Sequence, residues 1–182
     1  MSPRTRNRSC AWYSVILAGA LAAAGCQQSE PPAAVGSPSA ASASCELQLD
    51  YIVDTSDMRK VAGFASNVFV GAVQQDLGPH DESATDFIVT ADHNLKGNYS
   101  GQVKIRQDGT RECLANGEAI LDSGKPYVFA VNDWPQGGVN PLIMAYPITP
   151  DQRTAASSGD YQGPVAEMKE AVAHQIAPRG PS

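Results

Sequence analysis

The sequence predicts a mainly β protein, an antiparallel barrel or sandwich with a helix before the strands and another after them. Two observations lead to this prediction. Between residues 67 and 148, apolar residues mostly recur with a period of two, in short runs separated by turn residues. Helical spacing of apolar residues occurs only before and after this region, whereas a parallel α/β sheet would alternate strands with helices.

The N-terminus has the three parts of an export signal. Arg4, Arg6 and Arg8 form a basic start, and Ala11 to Ala24 is an apolar stretch ending in small residues. This stretch is shorter than the roughly 20 residues needed to span a bilayer. The step LAAAGC at residues 21–26 resembles the lipobox of bacterial lipoproteins, although Ala23 stands where those proteins usually carry Leu, Val or Ile.

The lipobox resemblance implies that residues 1–25 are a lipoprotein signal peptide and that Cys26 becomes a lipid-modified N-terminus. The protein would then be held by its lipid to the extracytoplasmic face of the bacterial cell membrane, since two or more acyl chains anchor stably. Plain secretion and an uncleaved anchor are the alternatives. Residues 26–44 are mostly Ser, Ala, Pro and Gly after the cysteine. They predict a flexible tether reaching roughly 25 Å, or else a tail without a spacing role.

Residues 45–182 are predicted to form one domain. In residues 55–65, TSDMRKVAGFA, the apolar residues have helical spacing after a Ser or Thr cap. Six candidate strands follow, at residues 67–75, 85–92, 101–107, 117–121, 126–132 and 141–148. A final amphipathic helix is predicted at residues 164–176. Its apolar face would carry Val165, Met168, Val172 and Ile176.

Three segments resemble the netrin-like domains related to tissue inhibitors of metalloproteinases. They are ASNVFVGAV at 65–73, FIVTADHNLKG at 87–97 and GKPYVF at 124–129. The resemblance covers roughly residues 65–148 and implies an OB-like barrel of five strands. It gives Gly71 a role in close packing or a bulge within a strand, and Gly97 a role in a left-handed turn after one.

The inhibitory mechanism of that family does not carry over. In the eukaryotic inhibitors, the free amine and carbonyl of an N-terminal cysteine chelate the zinc of the protease. Cys45 follows the tether and has no free amine, while the predicted mature N-terminus at Cys26 is lipid-modified. The fold can persist with a different function.

Cys45 and Cys113 remain once Cys10 leaves with the signal and Cys26 carries lipid. In an exported protein such a pair predicts a disulfide, with two free thiols as the alternative. The family resemblance implies the same bond, from the start of the domain to the region of Cys113. Neither cysteine has a histidine at a zinc-like spacing, so no metal site and no cofactor are predicted.

The charge of the chain excludes one class of partner. There are 13 basic and 19 acidic residues, a net charge of −6, and loss of the three signal arginines leaves 10 basic residues and a net charge of −9. A chain with this net negative charge lacks the basic surface expected of a nucleic-acid-binding protein. It also gains no attraction to anionic lipid, so membrane association is expected through the N-terminal lipid alone.

Three stretches are candidate sites. His80-Asp81-Glu82 gathers metal-capable side chains in one loop, and Asp92-His93 precedes a turn; a solvated loop and a surface pair are the respective alternatives. Asp133, Trp134 and Pro135 form a candidate partner-binding loop beside a strand. A tryptophan on such a loop either anchors a partner or covers the end of the barrel.

Two functions remain. The first is a non-enzymatic envelope lipoprotein whose domain binds an envelope protein, a peptide or a glycan. The second is an exported enzyme or metal-dependent factor that uses His80, Asp92 and His93, which requires these side chains to converge in one pocket. The chain contains no GxSxG, P-loop or HExxH motif, so the sequence favours the first.

Overall fold

The computed structural model describes residues 53–134, 136 and 138–178. Within them, five strands form a closed barrel in the order β1-β2-β3-β5-β4. The elements are α1 (Met58–Phe64), β1 (Asn67–Pro79), β2 (Ala84–Lys96), β3 (Gly101–Asp108), a 3₁₀ turn (Ala115–Gly117), β4 (Pro126–Val131), β5 (Asn140–Pro147), α2 (Pro150–Ser157) and α3 (Pro164–Ala173). The predicted mainly β, OB-like barrel, with a helix before it and helical structure after it, is confirmed.

The barrel closes between β3 and β5, the one parallel contact among the described strands. This contact is short: Ile105 lies opposite Asn140 and Arg106 opposite Pro141. From Leu142 to Pro147, β5 pairs only with β4 in the described part of the chain. One edge of this strand therefore has no strand partner there.

The core has two layers, one inside the barrel and one between the barrel and the helices. Phe87, Val89 and Ala91 of β2 point inward as their alternation predicts, and they pack with Phe69 and Phe129. The opposite faces of β1 and β4 pack against all three helices. This outer layer contains Val61, Val68, Val70, Val128, Ala130, Ala156, Val165 and Met168.

The helix ends differ from the prediction. Asp57, and not a Ser or Thr, caps α1, because its carboxylate accepts a hydrogen bond from the Arg59 N–H. Helix α3 ends at Ala173, and its buried residues are Val165, Met168 and Ala171. Ile176, which was expected on that face, lies beyond the end of the helix with 41% of its surface exposed. The Ile176 N–H donates to the Arg59 carbonyl, which holds this C-terminal segment against α1.

Helix α2 was not predicted, because only Ala156 in it is buried and no apolar period marks it. A capping box defines its start. The Thr149 hydroxyl accepts from the Gln152 N–H, while the Gln152 side chain accepts from the Thr149 N–H.

The predicted strand at residues 117–121 is wrong. Gly117 ends the 3₁₀ turn, and residues 118–125 form no strand. Instead, the buried amide of Gln107 pairs with this segment: Nε2 donates to the Ala119 carbonyl at 3.0 Å, and Oε1 accepts from the Leu121 N–H at 3.0 Å. One side chain thus replaces a ladder of backbone hydrogen bonds and places Leu121 in the barrel core.

The expected roles of the two glycines are confirmed. At Gly71 the register between β1 and β2 shifts, and a Cβ atom would overlap the Thr90 carbonyl. Gly97 has φ +80°, and a Cβ there would overlap the Asn67 side chain. Both positions therefore require glycine, the first for close packing and the second also for its left-handed backbone.

Candidate functional site

The loop between β4 and β5, called here the Trp134 loop (residues 132–139), presents a large exposed aromatic side chain. Trp134 has 56% of its surface exposed. The preceding residue, Asp133, is fixed by two hydrogen bonds to one carboxylate oxygen. Its Oδ1 accepts from Asn67 Nδ2 at 2.7 Å and from the Tyr99 hydroxyl at 2.5 Å. Of the predicted loop residues, Pro135 lies outside the described part of the chain.

Asparagines secure both ends of the Trp134 loop. Asn132 Oδ1 accepts from the Ser66 N–H at 3.1 Å, which ties the start of the loop to the residue before β1. Asn140 Oδ1 accepts from the Trp134 N–H at 3.4 Å, and Asn140 Nδ2 donates to the Lys104 carbonyl of β3 at 3.1 Å. The backbone that carries the indole is therefore tied to β1, to β3 and to the β2–β3 turn.

Tyr99 connects this loop to the core. Its ring packs edge-on against Phe69, with 5.7 Å between ring centroids. Burial and the neighbouring Asp133 carboxylate raise the pKa of the Tyr99 phenol well above its ordinary value. The phenol consequently stays protonated at physiological pH and remains a hydrogen-bond donor to Asp133.

Sequence reasoning found Asp133 and Trp134 but missed the residues that hold them. Asn67 and Tyr99 lie 66 and 34 positions from Asp133 along the chain. Neither belongs to a local motif, so only the closed barrel brings them together. A polar residue at the first position of an apolar strand, as at Asn67, was the one available signal.

The other three candidate residues do not converge. His80 follows Pro79, which pairs with Thr85, whereas His93 pairs with Val70 near the other end of β1. The two histidines are thus separated by roughly 30 Å of strand. Asp92 accepts from Arg153 Nε at 2.6 Å, and His93 Nε2 lies 2.8 Å from the Tyr161 hydroxyl.

Each of these side chains has a structural partner of its own. Lys169 Nζ lies 3.6 Å from the centre of the Tyr161 ring. Together with the His93–Tyr161 contact, this interaction joins β2 to the helices.

His80 lies beside the buried Asp86, with 3.8 Å between His80 Nδ1 and Asp86 Oδ2. Arg106 binds that carboxylate with two nitrogens, at 2.7 and 3.1 Å, and Lys104 lies 3.0 Å away. Hydrogen bonding from Arg106 and Lys104 outweighs burial and lowers the pKa of Asp86.

A second group of titratable side chains lies near the Gln107 segment. Burial raises the pKa of Asp108 and of Glu118, and the charge of Asp108 raises the pKa of Glu118 further. Burial also raises the pKa of Tyr146, whose buried hydroxyl has no hydrogen-bond partner among the described residues. No hydrogen bond joins these three side chains in the described region.

Two site types are absent from the described residues. They contain no group of three His, Cys, Asp or Glu side chains that could hold a metal ion. None of their helices is long and apolar enough to cross a membrane.

Cys113 is disulfide-bonded, and its partner lies outside the described residues. Its predicted pairing with Cys45 therefore stays a prediction, as does lipid modification of Cys26, since both of those cysteines lie outside the described residues. Cys113 follows β3 in a turn in which the Thr110 N–H donates to the Cys113 carbonyl.

The chain matches no protein-family model and no curated protein.

Proposed function

We propose that this protein is a non-enzymatic binding module of the bacterial envelope, held to the membrane by a lipid on Cys26, that engages its partner through the Trp134 loop. One observation carries the proposal: Trp134, with 56% of its surface exposed, lies on a loop that hydrogen bonds hold at both ends. Asp133 makes these bonds on one side of the indole and Asn140 on the other. A large aromatic side chain on a fixed backbone loses little conformational entropy on binding, which favours it as an anchor.

The arrangement of the other candidates supports binding over catalysis. His80 lies far along the barrel from Asp92 and His93. The three side chains contact Asp86, Arg153 and Tyr161 respectively. A general base or a metal ligand needs convergent partners around one reacting atom. These side chains instead join strands to one another or to the helices.

The N-terminal sequence supports the location. The basic start, the short apolar stretch and the LAAAGC step together fit a lipoprotein signal. The tether that follows would let the domain reach a partner outside the membrane. Under this proposal the relation to netrin-like domains is one of fold, without zinc chelation by Cys45.

Cross-linking in intact envelopes tests the proposed function. A photoactivatable group at exposed Gln136 would lie two positions from Trp134. We expect Trp134→Ala to lower the yield of cross-linked partner about tenfold, which corresponds to about 1.4 kcal/mol. Leu77→Ala, at the other end of β1 and 43% exposed, is the matched control and should leave the yield unchanged. Equal yields from both variants would contradict the proposal.

A further inference from the structure

We infer that the partner of the Trp134 loop is an uncharged oligosaccharide, an inference that rests on the proposed function of this loop. The reasoning starts from the chemistry around the indole. A sugar ring has a C–H face that packs on an aromatic ring and hydroxyls that exchange hydrogen bonds with amide and hydroxyl groups. A matching site consists of one exposed aromatic platform with neutral polar side chains beside it.

The β2–β3 turn supplies such polar groups. The hydrogen bond from Tyr99 to Asp133 joins this turn to the base of the Trp134 loop. The side chains exposed on the turn and at the start of β3 are Asn98, Ser100 and Gln102. They offer two amides and one hydroxyl, and none is charged. Gly97 and Gly101, both with positive φ, bend the backbone between them.

No second exposed large apolar side chain lies beside Trp134 in the described region. Specific protein interfaces bury about 800 Å² per partner around an apolar core. The other exposed large hydrophobic side chains in the described region are Leu77, Leu114 and Ile176. Leu77 and Leu114 belong to the other end of the barrel, and Ile176 lies against α1. Among the described residues, Trp134 is therefore the one exposed large apolar side chain at this end of the barrel, an arrangement that suits one stacked sugar ring.

Electrostatics favours a neutral glycan. The whole chain has a net charge of −6, and Asp133 lies next to the indole. Lys104 and Arg106, the cations nearest on β3, are bound to Asp86. Lys96, at the end of β2, has no carboxylate partner among the described residues, but its ammonium donates to the Ala62 carbonyl and to Gln175 Oε1 on the side of the helices. One such lysine gives a polyanion few of the cationic contacts it would need. An uncharged oligosaccharide needs no cationic contacts and is not repelled by the negative charge of the chain.

Tryptophan fluorescence tests the inference directly. Trp12 and Trp134 are the two tryptophans of the chain, and Trp12 lies in the predicted signal peptide. A Trp12→Phe background makes Trp134 the sole reporter whether or not that peptide is removed. The full chain would be kept in a zwitterionic detergent, because sugar-based detergents would compete. We expect chitotetraose or cellotetraose to change the Trp134 emission saturably, with a Kd in the millimolar range or below. A flat titration up to about 10 mM with both sugars would overturn the inference, since that concentration exceeds a millimolar Kd about tenfold.

Calorimetry on variants assigns the binding to this loop. We expect Trp134→Ala to abolish sugar binding, Trp134→Phe to retain it because a ring remains, and Gln102→Ala to weaken it several-fold. Leu77→Ala should bind as the unaltered chain does. Sugar binding that survives Trp134→Ala would place the site elsewhere and overturn the inference. If both sugars fail to bind while the Gln136 cross-link still depends on Trp134, the inference falls and the proposed function stands. If the cross-link also ignores Trp134, both fall.

Discussion

At Gly97, the space that a side chain would take is already occupied by the amide of Asn67. That amide donates to Asp133, which carries the exposed indole on the next residue. A methyl group at position 97 would therefore act on the Trp134 loop through one intermediate side chain. Gly101 has a similar backbone, with φ +68°, but has open space around it, so the two glycines differ mainly in what surrounds them.

We expect Gly97→Ala to destabilise the domain by about 1–3 kcal/mol more than Gly101→Ala. The left-handed backbone costs both variants about 1–2 kcal/mol, and only the first adds overpacking against Asn67. Thermal unfolding followed by circular dichroism measures the difference. Equal melting temperatures would mean that Asn67 moves aside at no cost, and hence that it does not hold Asp133 firmly.

Among the elements, residues 118–125, which follow the 3₁₀ turn, owe their position most to the side chain of one residue, Gln107. Gln107 donates to Ala119 and accepts from Leu121, while its own residue continues β3 opposite Thr85. The segment brings Ile120 and Leu121 into the barrel core. It thereby fills the region where β3 and β5 have ceased to pair.

We expect Gln107→Met to lower the free energy of unfolding by about 2–4 kcal/mol. The methionine has a similar volume, but it leaves the Leu121 N–H and the Ala119 carbonyl without partners, and an unpaired buried group costs about 1–3 kcal/mol. Gln102→Met, on an exposed position of the same strand, is the control and should change stability by no more than about 0.5 kcal/mol. Urea unfolding of both variants checks this, and similar midpoints would contradict the role of Gln107.

The elements that sequence reasoning predicted correctly are those with a local signature. Strand β3 from Val103 onward and the middle of β2, Phe87 to Ala91, alternate buried and less buried residues, a pattern that a short window of sequence reveals. Residues 117–121 contain apolar residues of the same kind, yet their partner is a side chain 12 and 14 positions away, which leaves no periodic trace. Helix α2 buries one alanine, so its only local signal was the Thr149–Gln152 capping box. The candidate site shows the same limit. Trp134 stands out in the sequence, whereas Asn67 and Tyr99, which bind Asp133, are distant from it along the chain.

For the whole molecule, the proposed function places the anchor at Cys26, which lies outside the described residues. None of the described helices is long and apolar enough to span a bilayer. Under the proposed function, the N-terminal lipid that the lipobox resemblance implies holds the barrel at the membrane, and the location of the protein then depends on Cys26.

We expect Cys26→Ser to abolish labelling by a fatty-acid analogue and to leave the protein either unprocessed or released into the medium. The reason is that the thioether forms on the cysteine sulfur, which serine lacks. Cys10→Ser is the control, because it removes a thiol from the signal and leaves the LAAAGC step intact. Labelling that is unchanged in Cys26→Ser would refute the lipoprotein assignment.

The edge of β5 that has no strand partner in the described part of the chain also bears on how this protein behaves at high local concentration. The strand reads PLIMAYP from residue 141 to 147, and its apolar residues are only half-buried. An apolar strand with a free edge is a template for cross-β aggregation between neighbouring chains. Pro147 stands at the end of this edge and has no N–H to offer to an incoming strand. It removes one donor from the edge, and this limits pairing with a second copy of the chain.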